Sequence, residues 1–211
     1  MIKKKPRNPR PRKIDGAGPV RYTLPENPNG PLNIGIDFSL APAPAAYFYA
    51  DSISLKRDSE LAMVILSFGR FDLTANRFTE RIEVAMPQAA LFSQFWNSVR
   101  NVEDAVDQQL KALKLPAASR SITTRSRARA TLYANAISVS VGNGESCLDF
   151  YYMSVRDIHL VKIKRISDIG LEPIIRVLCS PVVLKSLFDL CRQYATDQAH
   201  LFEESGRASA S

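Results

Sequence analysis

Side chains able to do acid–base, nucleophilic or metal chemistry are few in this 211-residue chain. Its two histidines, His159 and His200, belong to no HExxH pattern. There is no GxSxG nucleophile turn, no phosphate loop and no Gly-rich dinucleotide turn. Cys147, Cys179 and Cys191 are odd in number and lack CxxC or His-paired spacing, which argues against a disulfide framework or a zinc site and for three small buried hydrophobes. Asp51 and Asp149 are the carboxylates worth following, since each lies within an apolar strand candidate. A buried aspartate more commonly answers a turn or a neighbouring group than it performs catalysis. The expectation is a non-enzymatic protein with no catalytic residue, metal or cofactor.

Charge is more informative than nucleophiles. Lys3, Lys4, Lys5, Arg7, Arg10, Arg12 and Lys13 carry the whole formal net charge of +7, because no acid falls within residues 1–14 and the remainder of the chain is balanced. Pro6, Pro9 and Pro11 remove amide donors and clash with a preceding helical turn, so this arm is expected to be extended. It reads either as a polyphosphate binder or as a solvated tail. A second basic stretch at 119–130 places Arg120, Arg125, Arg127 and Arg129 in a linker-like composition. In "GRFDLTANRF", Arg70-Phe71 and Arg77-Phe78 flank one hairpin. Their guanidinium groups suit phosphates and their rings suit stacking on bases, unless the two phenylalanines are simply core. Lys162 and Lys164 in "VKIKR" fall on one side of a strand candidate and add a further phosphate contact. Together these residues point to a nucleic-acid binder of single-strand or low-specificity type. The competing reading is a protein-interaction, scaffold or chaperone-like assembly subunit working through a helix stripe and open sheet edges.

The elements that must position these residues come in two similar sets. Tyr49-Ala50-Asp51-Ser52-Ile53-Ser54-Leu55 and Tyr133-Ala134-Asn135-Ala136-Ile137-Ser138-Val139 match in chemical type 84 positions apart. Each is followed by a turn, "RDSE" or "GNGE", and a second apolar run, the pattern of a hairpin. Further strands are expected at 77–84 and 173–180, and copy two carries an extra strand candidate at 158–166. Alternation places Tyr49, Asp51, Ile53 and Leu55 on one side, as it does Tyr133, Asn135, Ile137 and Val139, and the Tyr/Ile side is expected to meet the helix.

Both sets end in a proline and a helix, at Met86-Pro87 and Ser180-Pro181; proline suits a first helical position and serine an N-cap. In the first helix Leu91, Phe95, Val99, Val102, Val106, Leu110 and Leu113 form a stripe about seven turns long. Its first half is expected on the sheet. Val102, Val106, Leu110 and Leu113 either bridge to the other set or meet a partner subunit or second copy. A unit of about 60 residues buries only ~60% of its extended surface, so two such units are expected to fuse into one pseudo-dimeric core.

Copy two, "YANAISVSVGNGESCLDFYYMS" followed by "IIRVLCSPVVLKSLFDLCRQYATDQAHLFEE", resembles an uncharacterised bacterial family marked by a Tyr-Ala-Asn strand, a Leu-Asp-Phe strand and a Ser-Pro helix. Copy one matches weakly, with Asp51, "VILSF" and Met86-Pro87 in those places. That family implies a domain type and no catalytic residue. A duplicated antiparallel sheet plus helix is also similar in architecture to the Whirly and Pur-alpha single-strand nucleic-acid binders, and more distantly to the SecB chaperone.

The expected fold is therefore α+β: a tandem duplicated antiparallel sheet with one helix per repeat, forming a pseudo-dimer. The expected organisation is a disordered basic arm at 1–14, a Pro/Gly-rich lead-in at 15–45 and a first repeat at 46–115. A basic linker at 116–130, a second repeat at 131–202 and a disordered tail at 203–211 complete it. With no apolar run approaching 18 residues and no apolar segment after the basic start, no membrane contact and a cytoplasmic location are expected.

Overall fold

A computed structural model describes residues 19–23, 35–36, 38–58, 60–72, 74, 77–114, 130–142, 144–162 and 168–208. The chain is α+β. In order it forms β1 (Pro19–Thr23), β2 (Gly35–Ile36), a 3-10 turn (Phe38–Leu40), β3 (Tyr47–Ala50), β4 (Ser52–Asp58), β5 (Met63–Asp72) and β6 (Arg77–Pro87). Then come α1 (Gln88–Leu113), β7 (Ala130–Tyr133), β8 (Ala136–Gly142), β9 (Glu145–Met153), α2 (Val155–Lys162), β10 (Asp168–Cys179) and α3 (Pro181–Ala208). The lead-in thus contributes two strands, and α3 continues past residue 203. Of the extra strand expected at 158–166, residues 158–162 are instead the end of a short helix, and 163–166 lie outside the described residues: Ile158 packs inward while Val155, Arg156 and His159 are exposed, a helical rather than an alternating pattern.

Each sheet is built on an antiparallel meander, β4-β5-β6 in the first and β8-β9-β10 in the second. Neither is purely antiparallel. β7 joins the first sheet parallel to β6, with Ala130 beside Ile82 and Tyr133 beside Ala85. β3 joins the second parallel to β10, with Tyr47 beside Arg176 and Ala50 beside Cys179. The two Tyr-Ala-Asx strands are therefore each broken at the Asx residue, and the two halves serve different sheets. Backbone amides show how. The N–H of Ala134 donates to Ala85 O in the first sheet (3.0 Å), and the next N–H, that of Asn135, donates to Tyr151 O in the second (3.0 Å). The N–H of Asp51 likewise donates to Gly69 O at 2.9 Å, although β3 before it lies on β10.

This break corrects the expected facing of the tyrosines. In β3 it is Phe48 and Ala50 that are buried, whereas Tyr47 and Tyr49 are 65% and 49% exposed. Beyond Asp51 the phase resets, and Ile53 enters the core as the alternation predicts.

One core cluster joins both inner sheet faces, through Leu66, Phe68, Val84, Leu148, Phe150 and Val177, to both long helices, through Leu91, Val99, Val106, Leu184 and Phe188. At its centre the rings of Phe68 and Phe150 meet edge to face with centroids 5.7 Å apart. α1 packs chiefly on β8 and α3 on β4, so each helix reaches the other segment's strand. Val106 and Leu110 are consequently buried within this chain and Val102 is packed against the core. Of that group only Leu113 is exposed.

α1 and α3 run antiparallel where they touch. Phe92 stacks on Tyr194 at 5.0 Å, and Glu103 pairs with Lys185 (3.0 Å) and with Arg192. The hydrogen bond from Arg192, followed by that from Lys185, outweighs desolvation and holds the Glu103 carboxyl below its ordinary range. A second, smaller cluster lies on the outer face of the second sheet, where Phe38, Ala41 and Ile158 cover Tyr151, Met153, Ile169 and Leu171. Among the described residues no helix is long and apolar enough to cross a membrane.

Candidate nucleic-acid interface

Strand register places side chains in rows across the outward sheet faces. On the second sheet one row runs Tyr47, Arg176, Asp149, Ser138, and the next runs Tyr49, Leu178, Cys147, Ser140. Neighbouring strands lie about 4.8 Å apart, so each row is continuous contact. The rings of Tyr47 and Tyr49 meet nearly at right angles, with centroids 5.8 Å apart and an interplanar angle of 80°.

Beside them Arg176 grips Asp149 in a two-point pair, Nε to Oδ1 and Nη2 to Oδ2, each at 2.7 Å. The fork geometry of guanidinium and carboxylate favours this bidentate form. Hydrogen bonding to Asp149 raises the guanidinium's pKa, so its charge is permanent. The Tyr151 hydroxyl donates to Asp149 Oδ2 at 3.5 Å. Burial, aided by the Asp149 charge, pushes the Tyr151 phenol up to about 12. Asp149 is thus the counter-charge to Arg176. Asp51 is exposed at the strand break.

The first sheet carries the corresponding rows Ser54, Ser67, Glu83, Thr131 and Lys56, Ile65, Ala85, Tyr133. Here a carboxylate occupies the central place. Glu83 accepts from Ser67 Oγ (3.4 Å), Thr131 Oγ1 (3.2 Å) and Arg81 Nη2 (3.0 Å). Tyr133 is 45% exposed and its ring lies 6.0 Å from that of Tyr152.

The residues singled out from sequence are only partly brought to these faces. Arg70 is exposed on β5, in register with Glu80, and the backbones of Phe71 and Phe78 face each other near the end of the β5–β6 hairpin, beside Asp72 and Arg77. The side chains of Phe71, Arg77 and Phe78 lie outside the described residues. So do the arm residues Lys3, Lys4, Lys5, Arg7, Arg10, Arg12 and Lys13, the linker residues Arg120, Arg125, Arg127 and Arg129, and Lys164. Lys162 closes helix α2 rather than lying on the strand expected for it.

The sequence reading missed the outward tyrosines and Arg176. In "YFYA" either phase of alternation is apolar, so periodicity alone could not choose the exposed side. The three cysteines are free; Cys179 and Cys191 are buried, and burial pushes both thiols up to about 12. Among the described residues no group of His, Cys, Asp and Glu could hold a metal ion. No protein-family model, curated protein or solved structure matches the chain.

Proposed function

We propose that this protein binds single-stranded nucleic acid with low sequence specificity and without catalysis. The observation that carries the reading is the exposed Tyr47–Tyr49 pair on an outward sheet face whose charged pair, Arg176–Asp149, is already internally neutralised. Such a face offers stacking rather than phosphate binding. The seven cations of residues 1–14 supply the phosphate-binding charge. Aromatic platforms combined with a basic track form a sequence-tolerant mode of single-strand recognition. The interaction-module reading loses its main surface, because Val106 and Leu110 are spent on the chain's own core.

We also infer that the two segments are a duplicated unit acting as an internal dimer. Supporting this are the same strand–hairpin–strand–helix succession in each, the reciprocal placing of β3 and β7, and the pairing of Phe68 with Phe150 at the centre.

The test is binding of a labelled oligonucleotide between about 50 and 200 mM salt, where cation–phosphate contacts are strongly screened. Seven phosphate contacts on a single strand give a log–log slope of roughly −5. Removing residues 1–14 should flatten that slope. Replacing Tyr47 and Tyr49 by alanine should lower affinity about tenfold or more while leaving the slope in place, since stacking is worth ~1–3 kcal/mol per base. Equal affinities for all three proteins at every salt concentration would refute the reading.

A further inference from the structure

The scaffold does not require the Arg176–Asp149 pair. In the corresponding row of the first sheet Glu83 stands where Arg176 does, Ser67 where Asp149 does and Thr131 where Tyr47 does, and that sheet closes on the same core. A partly buried ion pair must also desolvate two charges, so apolar side chains in its place commonly leave a protein as stable or more so. A pair kept on an outward face beside two exposed tyrosines points instead to a ligand.

What the pair leaves unused is specific. A guanidinium carries its five N–H groups in one plane as two forks, one along Nε and Nη2 and one across Nη1 and Nη2. Asp149 takes the first, through Nε to Oδ1 and Nη2 to Oδ2. The second stays whole. Nη1 has no hydrogen-bond partner among the described residues, and the Arg176 side chain is 33% exposed against 12% for Asp149. Because the carboxylate balances the charge and fixes the plane, the free fork is a rigid pair of parallel donors with little net pull on a phosphate.

Tyr47 is the neighbour of Arg176 on the side away from Asp149, and the next row sets Tyr49, Leu178 and Cys147 alongside. Leu178 and Cys147 are half-buried, so the face combines exposed rings, a shallow apolar floor and one donor fork. Rows on one face lie about 7 Å apart along a strand, so a planar ring resting on either tyrosine has Arg176 beside it.

Resting on the single-strand binding proposed above, we propose that this face selects a base with two adjacent hydrogen-bond acceptors, guanine through N7 and O6 or cytosine through N3 and O2. Adenine and thymine are disfavoured, because donors and acceptors alternate along their edges. The Arg176 fork donates to both acceptors while a tyrosine stacks on the ring. One selective base position in a stacked segment leaves the specificity of the whole protein low.

The experiment titrates the full chain by calorimetry, at one salt concentration, with deoxythymidine oligomers of about six nucleotides, within the footprint of a single fold. Companion oligomers carry guanine, adenine, cytosine or 7-deazaguanine at the central positions. Guanine against adenine, and cytosine against thymine, each compare rings of one size, so stacking is matched and the edge differs. A bidentate donor pair discriminates on the order of tenfold, so guanine should bind about tenfold tighter than adenine and cytosine about tenfold tighter than thymine. 7-Deazaguanine keeps the purine ring but lacks the N7 acceptor, and should fall to within about twofold of adenine. Arg176→Lys keeps a positive charge for Asp149 but has no fork, and should reduce both ratios to below about twofold. If its melting temperature shows that variant to be unfolded, the 7-deazaguanine comparison on the unaltered chain decides alone. Either ratio at or below about twofold, undiminished binding of 7-deazaguanine, or ratios that survive Arg176→Lys in a folded protein overturns the base selection and leaves single-strand binding intact. No binding of any oligomer overturns both.

Discussion

Asn135 offers the most exacting check on how the exchanged strands are held. Its side chain takes the place of a backbone rung: Nδ2 donates to Met153 O at 2.8 Å, and Oδ1 accepts from Met153 N–H at 2.6 Å, in a site only 5% exposed. Asn135→Ala strips both bonds and leaves a buried donor and a buried acceptor unmatched. Each such loss costs ~1–3 kcal/mol, so a total of about 2–6 kcal/mol is expected. For a chain of this size, at about 2–4 °C per kcal/mol, that corresponds to a fall of roughly 4–24 °C in melting temperature. Asn135→Asp sharpens the test. An ionised carboxylate would oppose the Met153 carbonyl, and only the protonated form can donate to it, so the folded-state pKa must lie above the unfolded value of ~3.9. A raised carboxyl pKa means stability that is fully present below ~3.9 and is lost as pH rises through the folded value. Urea denaturation followed by circular dichroism between pH 4 and 8 should therefore show Asn135→Asp diverging from the parent as pH rises, while the deficit of Asn135→Ala stays constant. A cost below about 0.5 kcal/mol for the alanine variant, or a pH-independent deficit for the aspartate, would refute the role given to this amide.

Tyr151 should add an alkaline component to stability. Its phenol, raised by burial and by Asp149 to about 12, favours the folded state below the unfolded value of ~10 and loses that contribution as pH rises through about 12, so Tyr151→Phe should flatten the alkaline limb of a stability–pH curve. Cys179 and Cys191 should resist thiol reagents until the chain unfolds, because burial holds both thiols protonated; rapid labelling of either in native buffer would contradict the packing. Phe68→Ala and Phe150→Ala should each cost ~3–5 kcal/mol and fail to add by about 0.5–1.5 kcal/mol, which a double-mutant cycle on denaturant midpoints measures.

How far the fold was legible follows from where local signals acted alone. The hairpins, the helices after Met86-Pro87 and Ser180-Pro181, and the burial of Leu91, Val99, Val106 and Leu110 along the stripe were readable, because turn residues, proline and helical spacing act within a few positions. The exchange of β3 and β7 was not, since it depends on pairing between strands that are far apart in sequence, Tyr47 beside Arg176 and Ala130 beside Ile82, and leaves no local period. It then propagated: an unbroken strand puts Tyr49 with Ile53, whereas the break at Asp51 turns Tyr49 outward. The helix at 155–162 was mistaken for a strand because "IHLVKI" is short, β-branched and apolar enough to fit either period. Asp149's partner Arg176 lies on a different strand and could not be named in advance.

The recurring Tyr-Ala-Asx stretch can now be understood one position at a time. The alanine faces inward where the exchanged strand crosses onto the other sheet; Ala50 and Ala134 are 4% and 0% exposed, so a larger side chain at either would have to displace core. The Asx residue stands at the break and directs its N–H to the sheet its own segment continues, at Gly69 O for Asp51 and Tyr151 O for Asn135. Asn135 adds a side-chain rung that needs both a donor and an acceptor. Asp51, at the same place in the motif, is exposed rather than buried. That difference accounts for an amide in one copy and a carboxylate in the other. Only the tyrosine has no packing duty that requires it. Tyr49 and Tyr133 are about half exposed, and a strand that needed only to pair and pack would be served as well by a threonine or valine there. The motif's alanine and Asx positions explain how the strand passes from one sheet to the other, and its tyrosine is the position that the packing leaves about half exposed.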